Sequence, residues 1–464
     1  VFGNGVASPA AIQYVMPGTD PDSGILNQET IILSQTVFSG SMQGKLPWGL
    51  PAGNVAVAFG AEYRHEQAGQ FDIPAINATS PYPAGNFAPY SGQYTVEEGF
   101  LEADVPILKD DIVEDLSLNA AGRMTDYSTS GLVETWKLGL TSQVDDNIRL
   151  RGTWSLDIRA PMVSELFSPG QIGIGSIQYP VNGPTYQVQQ ASGGNPNLQP
   201  EKAVTTSFGV VLTPQFLPGL SMSLDWYSIN VHGGIYTTGT QTIINRCLQG
   251  QSLYCPSLVF SASQFGGVAP YLINTQALNA ASLKTSGLDV QANYSMNLFD
   301  GTLIWALRGN YTDELTQTAI GVTYDSAGSM GGPLAYASSS LPKLRGILSA
   351  TYTEGPWSGT IQGRFFGAAV LTNGVENLPA SVTRASLAAT GVLTQGAGNG
   401  NLIDNNDVDP VGYLDLRLSY RLNGNMSLYS AVDNATDVPR PEDGASAVYD
   451  VLGRTYRVGI RVNY

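Results

Sequence analysis

The arrangement in this chain most like a ligand set is Asp404-Asn-Asn-Asp407-Val-Asp409. Carboxylates and asparagine carbonyls set this close supply the hard oxygens that calcium takes. The stretch lacks the spaced glycine and the bidentate glutamate of an EF-hand loop, so an acidic, solvated loop is the simpler reading. No metal site is expected. The two histidines, His65 near a strand end and His232 at a strand's rim, form neither a catalytic triad nor a zinc motif. There is no phosphate-binding loop. Neither an enzyme nor a cofactor is expected, and no nucleic-acid partner.

Cys247 and Cys255 lie eight positions apart in a segment rich in Tyr, Ser and Gln. Thiols so close, in a loop, read as a local disulfide made in an oxidising compartment; the alternative is a pair of free thiols. Aromatic residues gather in the same kind of segment: Tyr179, Tyr186, Tyr236, Tyr254, Phe265, Tyr271, Tyr324 and Tyr336. Several of them converging above one opening could grip a flat or amphipathic ligand while Asn and Gln orient it. The alternative is that these rings pack the loops against one another.

What must position these loops is a set of alternating strands. In Arg454-Thr-Tyr-Arg-Val-Gly-Ile-Arg-Val-Asn-Tyr464, the residues Tyr456, Val458, Ile460, Val462 and Tyr464 share one parity, and Arg457 and Arg461 take the other. Successive strand side chains point to opposite faces, so one face is apolar and the other cationic. Segment 413–422 repeats the design, with Leu414, Leu416, Leu418, Tyr420 and Leu422 alternating with Asp415, Arg417, Ser419 and Arg421. A Leu/Tyr face backed by an Arg face fits a membrane barrel around a polar lumen. The arginines expected to face that lumen are Arg151, Arg308, Arg364, Arg417, Arg421, Arg457 and Arg461.

Composition agrees. Only 13% of the 464 residues are charged, and 53 Gly with 23 Tyr suit a glycine-hinged, tyrosine-girdled β protein. No apolar run is long enough for a membrane helix. A large secreted sandwich or propeller has similar composition but does not predict a polar, often charged parity on nearly every strand. Strands that cross lipid must close into a barrel to satisfy their backbones.

The alternation predicts about fifteen strands, with bounds loose by a few residues. They fall near 33–45, 54–65, 94–107, 112–127, 132–143, 148–159, 202–213, 220–231, 285–297, 301–314, 343–353, 357–367, 412–422, 425–433 and 454–464. A parity slip after Trp226, where Ile229 and Val231 follow, suggests a bulge near Tyr227. Read backward from Tyr464, long and short connections alternate, except for the tight turn at 128–131. Short periplasmic turns and long extracellular loops are the habit of outer-membrane barrels. Acidic residues concentrate in the long loops and carry most of the net charge of −16.

At Arg159-Ala-Pro-Met-Val-Ser-Glu-Leu-Phe167 and Gly194-Asn-Pro-Asn-Leu-Gln-Pro-Glu201 the chain resembles the barrel of a TonB-dependent outer-membrane receptor. Ser286-Gly-Leu-Asp-Val-Gln-Ala-Asn-Tyr294 is similar to a third strand of that family. Val432-Asp-Asn-Ala-Thr-Asp437 resembles its Val-x-Asn-Leu-Phe-Asp, with Ala435 and Thr436 replacing Leu and Phe. The closing segment from Gly453 to Tyr464 matches with Tyr where Phe is commoner, and Asn245-Arg-Cys247…Tyr254-Cys255 is similar to a disulfide-bearing loop of one proteobacterial branch. The motifs come in family order across 40–464.

The resemblance implies a single barrel domain over 1–464, an all-β transmembrane antiparallel barrel showing about 15 of some 22 strands. It implies that a signal peptide, an energy-coupling box, a plug and the first strands lie in a preceding segment, since 1–27 reads as a loop. A strand outside this chain is then expected to pair with 30–45, because open edges are untenable in lipid. The implied function is an outer-membrane receptor of a Gram-negative bacterium. It would bind a scarce ligand and import it with energy from the TonB complex. An iron-siderophore or other metal chelate is the family default, with oligosaccharide or cobalamin as alternatives. The implied surroundings are outer-membrane lipid and lipopolysaccharide. Two other classes fit the strands: a passive porin, which lacks a plug, and a surface adhesin or phage-receptor scaffold, which binds without uptake.

Overall fold

The computed structural model describes residues 30–71, 91–168, 170–181, 183–319, 322–330, 341–370, 376–377, 402–403, 407–440, 449–450 and 452–462. Tyr336, Asp404 and Tyr464 lie outside them, as does the segment 1–29. The main element is a 16-stranded sheet in which neighbours in space are neighbours in sequence. Its serial path runs Thr30–Leu50, Gly53–Phe71, Ser91–Lys109, Asp115–Tyr127, Gly131–Asp145, Ile148–Arg159, Glu201–Leu212 and Leu220–Thr237. It continues through Ala277–Leu298, Gly301–Ala319, Leu344–Glu354, Trp357–Phe366, Val411–Arg421, Met426–Asp433 and Thr455–Val462. Each expected strand is present, and Val322–Asp325 adds a short sixteenth beside Gly301–Ala319. Among the described residues, Thr30–Leu50 and Thr455–Val462 each pair on one side only.

Every serial pairing is antiparallel, as a chain of hairpins requires. Local chemistry closes the short turns. Asp145 Oδ1 accepts hydrogen bonds from the amides of Asn147 (2.8 Å) and Ile148 (3.0 Å), fixing one hairpin. The tight turn after Tyr127 ends on Gly131 at φ 77°, a conformation that costs a glycine little.

The two faces differ as alternation requires. One carries exposed large apolar groups, among them Phe208, Trp226, Trp154, Leu416 and Leu418. On the other, Arg417, Ala431 and Arg457 lie opposite one another in register, as do Arg421, Ser427 and Arg461. True cores are small and sit at one end. The largest is built from Ile177, Val188, Ile243, Ile244, Tyr254, Leu258 and Ile273, all from the long loops.

The expected bulge near Tyr227 is absent. Pairing with Glu201–Leu212 runs unbroken from Met222 to His232, and the irregularity against Ala277–Leu298 falls at Val231 to Ile235. Ser228, Asn230 and His232 therefore continue the face of Trp226, while Ile229 and Val231 turn to the other. What looked like a slip in parity is the outer face becoming polar as the strand leaves its apolar zone.

The two faces can be tested at adjacent positions. A fluorophore at 416 should be quenched by lipid-borne quenchers while one at 417 is spared. Leu416→Arg should destabilise the folded barrel by about 2–4 kcal/mol if it lies near the midplane.

Candidate functional site

Register places a mostly polar row across seven strands: Arg151, Gly209, Asp225, Asp289, Asn310, Arg345 and Phe366 are successive cross-strand partners. One row away run Ser223, Gln291, Arg308, Ile347, Arg364 and Tyr413. All of these but Gly209 and Tyr413 line a hollow of about 600 Å³. Arg151 reaches over the intervening strand and forks onto Asp225, with Nε donating to Oδ1 at 2.7 Å and Nη2 to Oδ2 at 2.6 Å. Gly209 lies beneath that bridge, where a Cβ would sit 1.9 Å from Asp225 Oδ1. The strand needs glycine there because the ion pair occupies the side-chain space. Asn310 donates to Asp289 at 2.8 Å. Arg308 and Arg345 line the hollow with no ion-pair partner among the described residues.

Arg364 joins this row to a second network. Its Nε donates to Asp415 at 2.7 Å and its Nη2 to Asp450 at 2.6 Å, and its guanidinium lies 5.0 Å from the Tyr413 ring centroid. Asp415 is 1% exposed and is satisfied further by Gln362 and by the amide of Asn434. A buried carboxylate persists only with such partners. Asp450 comes from the last long loop, so Arg364 ties that loop to the sheet. Beyond it Arg417 and Arg457 converge on Asp433, Arg461 stacks on Tyr429 and Arg421 donates to the Gly355 carbonyl. Of the seven arginines singled out from the sequence, Arg151, Arg308 and Arg364 line the hollow and the other four lie on the strands beyond it.

Arg159 acts at the rim, although nothing in its own segment marks it out from the other arginines. Its guanidinium binds Glu201 through Nε at 2.8 Å and Glu165 through Nη1 at 3.0 Å. Glu165 also accepts from the Met162 amide at 2.7 Å, capping the short helix Val163–Phe167, and Glu201 accepts from the Ile235 amide at 2.7 Å. The two quoted motifs, one beginning Arg-Ala-Pro and the other ending Pro-Glu, thus supply one ion cluster where a strand leaves for its loop and another returns. A charged residue at corresponding ends of both motifs was the available signal.

Above the sheet, the loops after Ile148–Arg159 and after Leu220–Thr237 build one cap. It contains a four-stranded sheet of Gln171–Gln178, Thr185–Ser192, Leu272–Asn274 and Leu258–Val259, with the helix Thr240–Leu248 packed on it. Leu272–Asn274 pairs with Thr185–Ser192 in parallel, so the two loops are interleaved. Cys247 and Cys255 are bonded at 2.08 Å and staple the helix to the following turn. Most of the aromatics proposed for ligand contact belong to this cap. Tyr254 is 3% exposed in its core, where burial pushes its phenol up, and Tyr179, Tyr186 and Tyr236 pack half-buried against it. Tyr186 meets Phe265 edge-on at 5.1 Å, and Tyr179 meets Phe260 at 5.9 Å. Phe260 and Phe265 keep open faces, Tyr271 is half-buried, and Tyr324 lies on the strand Val322–Asp325. Of the acidic loop, Asp407 lies on a two-residue strand and Asp409 is exposed; among the described residues no group of three metal-ligating side chains assembles.

A hairpin-to-hairpin sheet with one apolar and one charged face is the wall of a transmembrane β-barrel. The chain belongs to the TonB dependent receptor-like, beta-barrel family, whose model matches residues 8–435. Among solved structures it is similar to a variant of the ferric enterobactin receptor PfeA of Pseudomonas aeruginosa bound to enterobactin. The TM-score is 0.61 at 16% identity, covering 96% of this chain and 56% of that one. The siderophore receptor PirA of Acinetobacter baumannii matches at TM-score 0.58 and 15% identity, over 94% of this chain and 55% of that one. The RagAB peptide transporter matches at TM-score 0.53 and 12% identity, over 94% and 56%. At such identities the likeness is one of fold, and the chain spans just over half the length of these proteins. Among curated proteins none matches it by sequence.

Two outcomes follow from the geometry. Gly209→Ala should displace the Asp225 carboxylate and cost as much as the exposed bridge is worth, up to about 1 kcal/mol. Combined with Asp225→Ala, it should cost little more than either alone in thermal melts. Reducing the disulfide, or Cys247→Ser with Cys255→Ser, should loosen the cap by roughly 2–3 kcal/mol, as expected for so short a closed loop. Faster proteolysis confined to the cap, with the wall's melting unchanged, is the expected signature.

Proposed function

We propose that this chain forms the wall and extracellular cap of an outer-membrane receptor of a Gram-negative bacterium. The receptor binds a scarce ligand too large for general porins and imports it with TonB-coupled energy. The observation that carries this is the family match over residues 8–435, in a sheet whose polar face is lined by arginines. With the apolar face in lipid, that polar face lines the lumen. The hollow around Arg308 and Arg345 suits a ligand bearing carboxylate or catecholate oxygens, since Arg holds oxyanions through paired N–H donors. A ferric chelate of that kind is the ligand this reading favours. The exposed rings of Phe260 and Phe265 on the cap offer it apolar contact.

Cells lacking the protein should lose growth on the cognate ferric chelate as sole iron source. They should lose it equally when the TonB complex is removed and this receptor kept. Uptake that persists without inner-membrane energy would make the protein a passive channel instead. Within the receptor, Arg308→Ala with Arg345→Ala should weaken uptake of an anionic chelate far more than that of a neutral one.

A further inference from the structure

The small sheet of the cap ends on an open strand. Gln171–Gln178 pairs antiparallel with Thr185–Ser192 and, among the described residues, with no strand on its other side. The pairing fixes which backbone groups point outward. Tyr179 N–H donates to the Pro184 carbonyl. Gln178 instead turns its N–H and C=O away from that strand, onto the side-chain amide of Gln241 at 2.8 and 3.0 Å. Antiparallel pairs alternate between hydrogen-bonded and non-hydrogen-bonded, so Ile174 and Ser176 share the outward parity of Gln178. Gln189, opposite Ile174, agrees, since its own N–H donates to the Tyr271 carbonyl on the far side. The N–H and C=O of Ile174 and Ser176 have no partner among the described residues. Ile174 is 79% exposed, Ser176 is exposed, and a Cβ added at Gly173 would meet nothing within 4 Å.

Natural sheets guard such an edge with charge, proline or a bulge. The strand Gln-Ile-Gly-Ile-Gly-Ser-Ile-Gln has none of these, and its register is unbroken. Outward N–H and C=O groups recurring about 6.8 Å apart are matched by another extended backbone. Gln241 already supplies that chemistry at one position, its amide accepting from Gln178 and donating to it as a strand would. Gly173 leaves open space that a bulky side chain of an arriving strand can cover. The surroundings set the charge of the occupant. Over 168–200 and 238–276 the two loops hold a single charged residue, Arg246, which donates to Gln249. We propose that Gln171–Gln178 docks a short, uncharged peptide in extended conformation, which joins the cap sheet as an added strand. Main-chain hydrogen bonds supply the affinity in that mode, and side-chain fit at alternate positions supplies the selectivity. The site is separate from the lumenal hollow and does not depend on what the lumen imports.

The test uses the full-length receptor in mild detergent. The probe is a synthetic peptide copying Thr185–Ser192, the strand that Gln171–Gln178 already pairs, with both termini blocked. Fluorescence polarisation should show saturable binding that salt does not weaken. Two versions of the peptide, N-methylated at odd or at even positions, should differ sharply, because only alternate amides of an added strand face the edge. Ile174→Pro removes an outward N–H that the cap's own ladder does not use, and should weaken binding by roughly tenfold. Ile174→Ala keeps that N–H and should keep most of the binding. Limited proteolysis of the cap reports whether the proline variant stays folded; if it does not, the methylated peptides decide the matter on the wild-type protein. Absence of saturable binding overturns the site, as does equal binding of the two methylated peptides or equal loss with alanine and proline. Binding that salt abolishes overturns the uncharged class assigned to the peptide.

Discussion

The strands of the wall are shaped by the cost of an unpaired backbone amide in lipid. Hydrocarbon offers no hydrogen-bond partner, so each N–H and C=O within the membrane must find one on an adjacent strand. This explains why the strands are long, why consecutive segments pair without crossovers, and why irregular backbone is kept to the two rims. It also explains why little of the molecule has a conventional core. The wall is held by ladders of hydrogen bonds, with one face given to lipid and the other to water and charge. Hydrophobic burial of the soluble kind returns only in the cap, where Ile243, Ile244 and Ile273 are almost fully enclosed.

Once pairing is fixed, the charged face follows from register. Side chains opposite one another on neighbouring strands must be compatible, and the rows across this sheet show how that is arranged. Arg151 bridges to Asp225 over a glycine, Asn310 steadies Asp289, and Arg364 is shared between a sheet carboxylate and a loop carboxylate. Arg159 does the same at a rim, joining a strand, a helix cap and a returning strand through Glu165 and Glu201. Arg308 and Arg345 in the hollow are left without an ion-pair partner among the described residues. The cap above is built differently. Its aromatics first serve its own packing and its disulfide, and only their outer surfaces remain for contact.

How much of this could be read before the fold was known depends on the range of each interaction. Alternation is a property of one strand, so the number of wall strands, their two faces and the seven arginines' common parity were legible in residues such as Leu414 to Arg421. The order of loops and turns was legible too, because a hairpin wall keeps sequence neighbours together. Cys247 and Cys255 are close enough in sequence for their pairing to be read locally. The family motifs were legible as strings, though not the ion cluster that Arg159, Glu165 and Glu201 make of them.

The tertiary structure alone decided which side chains meet. Arg151 and Asp225 are 74 residues apart, and Arg364 and Asp450 are 86 apart. Their contact depends on a register that no single segment specifies. The same limit misplaced the bulge near Tyr227: from one strand, a change of face and a change of environment give the same pattern, and only the unbroken pairing with Glu201–Leu212 separates them. It also left the loop aromatics undivided between packing and binding, because the interleaving of Leu272–Asn274 with Thr185–Ser192 brings together two loops distant in sequence. Sequence set the parity of each strand, since a strand's faces depend on local geometry alone. Register and loop docking set the neighbours, since those depend on every strand between.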